Sequence, residues 1–416
     1  MLNISNKIKG LFDVSVCSKL KLFNNFKVNE IPDNKLLNIK ETIIMRNEKE
    51  RYVYMKDWLG KIKSIALLGV LTLVLAGCGK ENLTALAPKG GSADTSLYLI
   101  ILTTTVMTLV FFAVLIPFII VLIRFRKKKG DEDFIPEQVE GNQKLETIWT
   151  IIPIILVVIM AVPTVLATFE LADDADASEH ININVTGNQY WWHFDYENEE
   201  IATSQDMYIP VDTKVYVHLI TSDVLHSFWV PTLAGKLDVN PENVNTMFLD
   251  AQEEGVYFGK CAELCGPSHS LMDFKVVAVS EEDYDTWVTD MKDFKSDELE
   301  LDAVAAEGKE LFDSKSCLSC HATDNQGYQA GSLPIGPDLT SFADRSRFAG
   351  ILLPTEENLV DWIVDPEAIK PGNKMTGAYD VTKEEAEKIA QYLMQLSPSD
   401  VTAESVDTEV LSDSAK

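Results

Sequence analysis

The sequence contains few cysteines and few histidines, six of each in 416 residues. Four of the six cysteines fall into two close pairs, so no disulfide framework is visible and the compartment has to be inferred from targeting signals. Positive charge is also scarce, because 36 lysines and arginines stand against 64 acidic residues. The resulting net charge of −28 argues against nucleic-acid binding and for a solvated acidic surface that attracts a basic partner.

Charged residues are absent from two stretches, 95–123 and 147–169. Each is long enough for the roughly 20 residues that cross a bilayer as a helix. The dense basic segment 124–129 lies between them, and positive charge of this kind stays in the cytoplasm. These patterns predict a transmembrane hairpin whose tip is cytoplasmic, with everything after about residue 170 outside the membrane. The length and the flanking charges oppose the alternative of two buried core helices.

A targeting signal is visible near the amino terminus. Residues 1–54 are polar and carry no motif, whereas 55–77 combine a basic region, an apolar region and the small residues Leu75, Ala76 and Gly77 before Cys78. This arrangement predicts a lipoprotein signal peptide that is cleaved before Cys78, with lipid attached to that cysteine. Translation would then begin at Met55. The alternatives are that 1–54 is a real extension and that Cys78 is an ordinary cysteine; Cys17 has no assigned role.

The remainder of the chain is predicted to contain two folded parts and a tail. From His180, apolar and polar residues alternate and Gly or Pro punctuates the pattern, which predicts a compact β-sandwich or barrel over 180–280. Ser280 followed by three acids predicts a helix start, so 281–302 is interpreted as a helix with an acidic linker. A second domain occupies 303–396, and the polar, acidic segment 397–416 is predicted to be disordered.

The segment CAELCGPSHSLM, residues 261–272, concentrates metal-ligating side chains: Cys261, Cys265, His269 and Met272. Thiolate, imidazole and thioether together suit copper, and two cysteines four residues apart can reach one metal ion or a pair. His226 is the best candidate for a further ligand, since it lies in a strand-like segment just ahead of the cluster. The alternative is a closed tetrahedral zinc site made by the two cysteines and two histidines. The thioether favours copper.

A second motif, CLSCH, occupies residues 317–321. Cys317 and Cys320 have the spacing that attaches haem c through two thioether bonds, and His321 is placed to ligate the iron. Met375, in a loop between two predicted helices, is the candidate for the sixth ligand, while Met394 is assigned to helix packing. The alternatives are a thioredoxin-like redox pair, which lacks its βαβ context here, and an open haem site that binds gas.

The motifs DVLHSFWVP, YFGKCAELCGPSHSLM and ETIWTIIP resemble subunit II of the haem–copper cytochrome c oxidases over residues 97–280. In this family a cupredoxin-like Greek-key domain carries the binuclear copper centre CuA. The resemblance implies that the ligands are shared as follows: Cys261 and Cys265 bridge two coppers, His226 and Met272 complete one, and His269 with the backbone carbonyl of Glu263 completes the other. It also implies that the Glu263 carboxylate reaches a magnesium ion at the interface with subunit I.

Two further roles follow from the same resemblance. Glu146, in the ETIWT motif, would lie near the mouth of a proton path into subunit I, although an acid at a helix amino terminus is also favoured by the helix dipole. Tyr190, Trp191 and Trp192 form an aromatic run that covers the copper site in the family and receives electrons from cytochrome c. On pattern alone such a run is strand core and edge, and here a tyrosine stands first where the family has tryptophan.

Residues 303–396 resemble a class I cytochrome c, and its fusion behind a copper domain is the arrangement of the caa type of oxidase. We therefore expect a multidomain membrane protein with a two-helix transmembrane hairpin, an all-β cupredoxin-like Greek-key domain and an all-α class I cytochrome c domain. It would hold two coppers and covalent haem c on the outer face of a bacterial cell membrane. Its expected partners are oxidase subunit I, the other oxidase subunits, and an upstream quinol–cytochrome c reductase or small cytochrome c.

Other functions use some of the same features. An electron shuttle for a nitrous oxide or nitric oxide enzyme would need the same metals without subunit I, and the ETIWT motif argues against it. A copper-storage protein would need no haem motif. A quinol oxidase subunit II would lack the copper ligands.

Overall fold

The structure is a computed structural model that describes residues 63–71, 81–126, 137–138, 140–172, 180–326, 328–329, 331 and 335–407. The predictions for residues 1–54, for Cys78 and for the end of the tail lie outside the described residues. The chain divides into two units, residues 1–79 with Lys416, and residues 80–415. In the first unit, residues 63–71 of the proposed signal peptide are helical. All that follows concerns the second unit.

Two long helices, α1 (Gly91–Arg124) and α2 (Gln143–Leu171), are long and apolar enough to cross a membrane. Their apolar side chains point outward from the protein, as with Phe111, which is 58% exposed. Helix α1 begins four residues before the uncharged stretch because its first turn packs on the β domain, where the Ala93 amide donates to the Leu233 carbonyl at 3.2 Å. Asn142 caps α2 by accepting from the Lys144 and Leu145 amides.

The β domain is a sandwich of two five-stranded sheets. The strands are β1 (Ile181–Asn188), β2 (Trp191–Tyr196), β3 (Ile201–Ser204), β4 (Asp206–Pro210), β5 (Val215–Thr221), β6 (His226–Trp229), β7 (Lys236–Val239), β8 (Asn245–Leu249), β9 (Gly255–Cys261) and β10 (Phe274–Val279). The strand orders are β3-β2-β1-β5-β8 and β4-β10-β9-β6-β7. Most neighbours are antiparallel, but β1 pairs with β5 and β4 pairs with β10 in parallel.

Alternating side chains from both sheets fill the core of the sandwich, as the period of two predicts. Ile183 and Val185 on β1 and Val215, Val217 and Leu219 on β5 are fully buried. Helix α3 (Glu281–Asp293) follows β10 and is capped by Ser280, whose hydroxyl accepts from the Asp283 amide. It closes one side by stacking Trp287 on Tyr208, with ring centroids 4.5 Å apart.

The second domain is helical: α4 (Ala303–Ser314), α5 (Glu356–Val364), α6 (Pro366–Ile369) and α7 (Lys383–Leu393). Polar residues start these helices as expected, since Asp302 caps α4 and Thr382 forms a capping box with Glu385 on α7. The buried faces of α4, α5 and α7 enclose a core of their own. The predicted combination of a membrane hairpin, a cupredoxin-like sandwich and a cytochrome c domain is confirmed.

The prediction that disorder begins at Ser397 is wrong for residues 397–407. Helix α8 (Ala403–Val406) packs on the sandwich, and Ala403 is fully buried in its core. Ser399 donates a hydrogen bond to Asp290 on α3 at 2.6 Å. The apolar residues Val401, Ala403 and Val406 are sparse in the sequence, but they meet an apolar surface that the sandwich already presents. The segment 408–416 lies outside the described residues.

Candidate metal centres

The copper-ligand candidates lie at one end of the sandwich because two neighbouring strands deliver them there. His226 begins β6 and Cys261 ends β9, and these strands are antiparallel with Phe228 opposite Cys261. Successive side chains alternate between faces, so His226 and Cys261 share a face. Cys265, His269 and Met272 then come from the loop that joins β9 to β10. His226 and Met272 are fully buried, and Cys261 and Cys265 nearly so.

Six potential donor atoms converge here: the two cysteine sulfurs, which lie 4.0 Å apart, and four atoms around them. The Cys261 sulfur is 3.8 Å from His226 Nδ1 and 3.2 Å from the Glu263 carbonyl oxygen. The Cys265 sulfur is 3.6 Å from His269 Nδ1 and 3.3 Å from the Met272 sulfur. The structure therefore brings all the ligand candidates together, including the backbone carbonyl.

The two thiols have pKa values that are shifted in opposite directions. A hydrogen bond from the Cys265 thiol, helped by the His226 ring, lowers the pKa of the Cys261 thiol. The neighbouring Cys261 sulfur in turn raises the pKa of the Cys265 thiol. Because a thiolate is the ligating form, metal binding has to displace any thiol proton.

Asp223 orients His226 from the side away from the sulfurs. Its Oδ1 atom accepts from His226 Nε2 at 2.9 Å, and since a carboxylate only accepts, the ring proton is on Nε2 and the lone pair is on Nδ1. Nδ1 is the nitrogen that faces Cys261. Burial opposes the charged ring, but Asp223 and Cys261 outweigh it and raise the pKa of His226. Fixing a ligand through its other nitrogen is the usual outer-shell role of a carboxylate.

The haem motif lines a deep apolar cavity in the helical domain. Cys317, Cys320 and His321 form one wall and Met375 lies in the lining, whereas Met394 caps α7, is 36% exposed and is not among the lining residues. His321 Nδ1 lies 2.7 Å from the Pro337 carbonyl oxygen and donates to it, which leaves Nε2 as the ligand atom. The apolar walls include Phe312, Leu339, Phe348, Leu359, Trp362 and Leu393.

A buried arginine in the same cavity carries an unused donor. Arg345 is 3% exposed and donates through one terminal nitrogen to the Asp338 carbonyl at 2.6 Å. Within the described part of the chain nothing accepts from its Nε, and a buried donor without an acceptor is costly. A haem carries acidic propionates as well as an apolar ring, so this lining fits a haem.

Comparison with known proteins identifies the family of the chain. Family models match for cytochrome c oxidase subunit II, transmembrane domain (residues 94–166), cytochrome c oxidase subunit II, periplasmic domain (197–279), and cytochrome c (305–397). Cytochrome c oxidase subunit 2 of Bacillus sp. (strain PS3) is 47% identical over 355 residues, which cover 82% of this chain and 99% of that one. The chain belongs to the cytochrome c oxidase subunit II family.

Other relatives match this chain to different extents. Cytochrome c oxidase subunit 2 of Alkalihalophilus pseudofirmus is 48% identical over 349 residues, covering 82% of this chain and 99% of that one. Quinol oxidase subunit 2 of Bacillus cereus is 34% identical over 242 residues, covering 58% of this chain and 82% of that one. This chain is thus a membrane subunit of an oxidoreductase complex, and it carries a cytochrome c domain and serves electron transfer with other oxidase subunits.

In this subunit II the cytochrome domain covers the aromatic run of the copper domain. Tyr190 is 3% exposed, and its carbonyl accepts from Lys370 of the cytochrome domain at 2.6 Å. Trp191 is half-buried and lines the haem cavity with Tyr190. Trp192 is fully buried, and its indole donates to the Met272 carbonyl at 3.1 Å. Its position agrees with the alternative interpretation of the aromatic run, in which these residues form strand core and edge.

The structure adds residues that the sequence reasoning missed. Gln189 lines the haem cavity and donates to the Cys265 carbonyl at 2.6 Å, so one side chain touches both sites. Lys370 is buried at the same contact, and burial lowers its pKa to about 7. Asp223 could have been found, because a carboxylate three residues before a ligand histidine is a plausible partner for its second nitrogen. Gln189, Lys370 and Arg345 carry no signal in the sequence.

Glu146 and Glu263 are the two acidic residues whose predicted roles involve subunit I. Glu146 is exposed in the first turn of α2, where its amide donates to the Asn142 carbonyl at 2.9 Å. Glu263 is half-buried in the β9–β10 loop beside Leu264, which is 77% exposed. Both positions are available to a partner subunit.

Proposed function

We propose that this subunit carries electrons from a covalent haem c to a binuclear CuA centre and on to oxidase subunit I, where oxygen is reduced to water with proton pumping. The single observation that carries the proposal is the convergence of six donor atoms around Cys261 and Cys265 next to a cavity lined by a haem c motif. When bound, the two cofactors supply sites that each accept and release one electron.

The chain's own residues have distinct tasks in this proposal. Cys317 and Cys320 would attach the haem, and His321 and Met375 would ligate its iron. The copper ions would be held by His226, Cys261, Cys265, His269, Met272 and the carbonyl of Glu263. A tetrahedral zinc site would use only four donors, so the nearby Met272 sulfur and Glu263 carbonyl support the copper assignment.

The fused cytochrome replaces a diffusing donor. Lys370 holds the cytochrome domain against Tyr190, and the neighbouring Gln189 donates to the Cys265 carbonyl in the β9–β10 loop, residues 262–273, here called the copper loop. Tethering makes the transfer intramolecular, so effective concentration replaces diffusional docking. An upstream reductase or small cytochrome c would then deliver electrons to the haem domain, because the aromatic run is covered.

Three further assignments belong to the proposal. Cys78 carries the lipid after signal-peptide cleavage, which anchors the new amino terminus on the outer side of the cell membrane. Glu263 supplies a carboxylate to a magnesium ion at the subunit I interface. Glu146 lies near the mouth of a proton path into subunit I.

The test is to purify the full chain with its oxidase partners and to measure copper, zinc and covalent haem together with the electron-spin-resonance spectrum. In this subunit the expected content is two coppers and one haem c, with a spectrum in which one unpaired electron is shared by two copper nuclei. One zinc, or a signal from a single copper nucleus at this site, would contradict the proposal. A chain without covalent haem would contradict the electron route.

A further inference from the structure

Three residues of the segment 370–374, here called the docking loop, fasten the cytochrome domain to the copper domain. Lys370 donates to the Tyr190 carbonyl at 2.6 Å, and Ser268, on the copper loop, donates to the Pro371 carbonyl at 2.8 Å. Lys374 donates to Asp223 at 3.1 Å. The docking loop ends immediately before Met375, the proposed haem ligand. The contact therefore joins the surroundings of one centre to those of the other.

Asp223 connects His226 to the docking loop through its two carboxylate oxygens. Oδ1 accepts from His226 Nε2 at 2.9 Å and from the Val224 amide at 2.7 Å. Oδ2 accepts from the Gln189 amide at 2.8 Å and from Lys374 at 3.1 Å. The Asp223 side chain is only 11% exposed, so this charge is poorly screened by water, whereas Lys374 is 58% exposed.

We infer that Asp223 is a positioning residue shared by both centres, through which docking of Lys374 adjusts the electrostatic environment of the copper ligand His226. The inference rests on the proposed function. The Asp223 carboxylate, through His226, favours the more positive, oxidised copper pair. Lys374 offsets part of that charge when the cytochrome domain is docked, and so makes the copper pair easier to reduce from the haem beside it.

The experiment is a double-mutant cycle on the full chain in its assembled oxidase, with the copper reduction equilibrium titrated by electron-spin resonance against fixed redox mediators. Lys374→Met is expected to shift that equilibrium about two- to fivefold toward the oxidised form, the range for a pair this exposed. Asp223→Asn is expected to shift it toward the reduced form, and the amide oxygen still accepts from His226. In the Asp223→Asn background, Lys374→Met is expected to have less than half its original effect.

The matched control is Lys388→Met, which also removes one positive charge from the cytochrome domain. Lys388 pairs with Glu307 and Glu384 and contacts neither Asp223 nor the docking loop. An equal shift from Lys374→Met and Lys388→Met would overturn the inference, as would a full effect of Lys374→Met when Asn occupies position 223. Loss of the copper pair or the haem from the parent protein would instead contradict the proposed function, so the two failures are distinguishable.

Discussion

The two candidate centres of this subunit are built in opposite ways. At the copper site the donor atoms already lie within 4.0 Å of a neighbouring sulfur, on two strands and one loop of a sandwich that has a core of its own. At the haem site the ligand candidates line a cavity whose walls are apolar side chains from several helices. A pair of small ions needs converging donors, whereas a haem supplies a large part of the core that encloses it.

This difference predicts unequal dependence on the cofactor. The β-sandwich has a continuous core that includes Trp192, Phe228 and Phe274, and their rings contact each other. The cytochrome core, around Phe312 and Leu359, borders the cavity directly, so without haem those side chains face open space. A void leaves its lining without contacts and costs stability.

The largest expected effect comes from removing both haem attachment points. In Cys317→Ser with Cys320→Ser, covalent haem should be lost and the cytochrome domain destabilised by on the order of several kcal/mol, because a ligand that binds only the folded state stabilises it. Haem staining after denaturing electrophoresis and hydrogen exchange of α4, α5 and α7 measure the two effects. Ser319→Ala, between the two cysteines, is the control. Equal helix protection in the double variant and the control would contradict the comparison.

The sequence specified the copper ligands better than their surroundings, for a physical reason. Cys261, Cys265, His269 and Met272 lie within the short segment 261–272, so local spacing already brings them together. Lys370 meets Tyr190 across 180 positions, a contact that depends on how the two domains dock, and Gln189 meets Cys265 across 76 positions of the sandwich. Docking is set by shape complementarity, which leaves no periodic pattern in the chain.

In the fold, too, local signals were easier to predict from the sequence than contacts between distant segments. Alternation along β1 and the cap at Ser280 are local signals, and β1 and α3 begin where these signals place them. The segment 397–407 was missed because its few apolar residues gain stability only from a surface built elsewhere. Tertiary contact thus outweighs local composition there.

A second prediction tests how closely the cytochrome domain packs against the β9–β10 loop of the sandwich. Gly350 has a φ of +81°, and a Cβ there would lie 2.8 Å from the Leu271 carbonyl and 3.0 Å from the Asp273 amide of the copper loop. Gly350→Ala should therefore cost roughly 2–5 kcal/mol, combining the left-handed backbone with steric overlap. Thermal unfolding followed through haem absorbance measures the loss.

Gly377→Ala is the matched control for this substitution. Gly377 has a similar φ of +73°, but among the described residues no atom beyond its two chain neighbours lies within 4 Å of the added Cβ. Its expected cost is only the backbone part, about 1–2 kcal/mol. If the two variants lose equal stability, the interface is looser than the close approach at Gly350 implies.

A third prediction concerns a buried carboxyl beside the haem cavity. In the sandwich, the buried Asp206 carboxylate pairs with Lys275 at 2.9 Å, whereas Asp338 accepts from the Thr340 amide at 2.9 Å. Burial raises the pKa of Asp338 to about 6. A carboxyl whose pKa is raised by folding contributes stability below its unfolded pKa near 4 and loses it as the pH rises through 6.

Asp338→Asn should therefore stabilise the cytochrome domain by about 1–3 kcal/mol at pH 7 and by little at pH 4.5, since an amide oxygen keeps the bond from Thr340. Denaturant unfolding at the two pH values measures the difference. Asp361→Asn, an exposed carboxylate on α5, is the control. A gain in Asp338→Asn that is equal at both pH values would exclude titration of this carboxyl as the cause.

The smallest structural change is expected when copper is removed. Chelation should abolish the copper spectrum and lower the unfolding temperature, because the bound metal stabilises the folded state by mass action. The strands should nevertheless keep their hydrogen-exchange protection, since Phe228, Trp192 and Phe274 pack against one another in the core. Protection is expected to fall only in the β9–β10 loop around Cys265 and His269. Loss of protection across β6 and β9 would mean that the copper site, like the haem site, depends on its cofactor to fold.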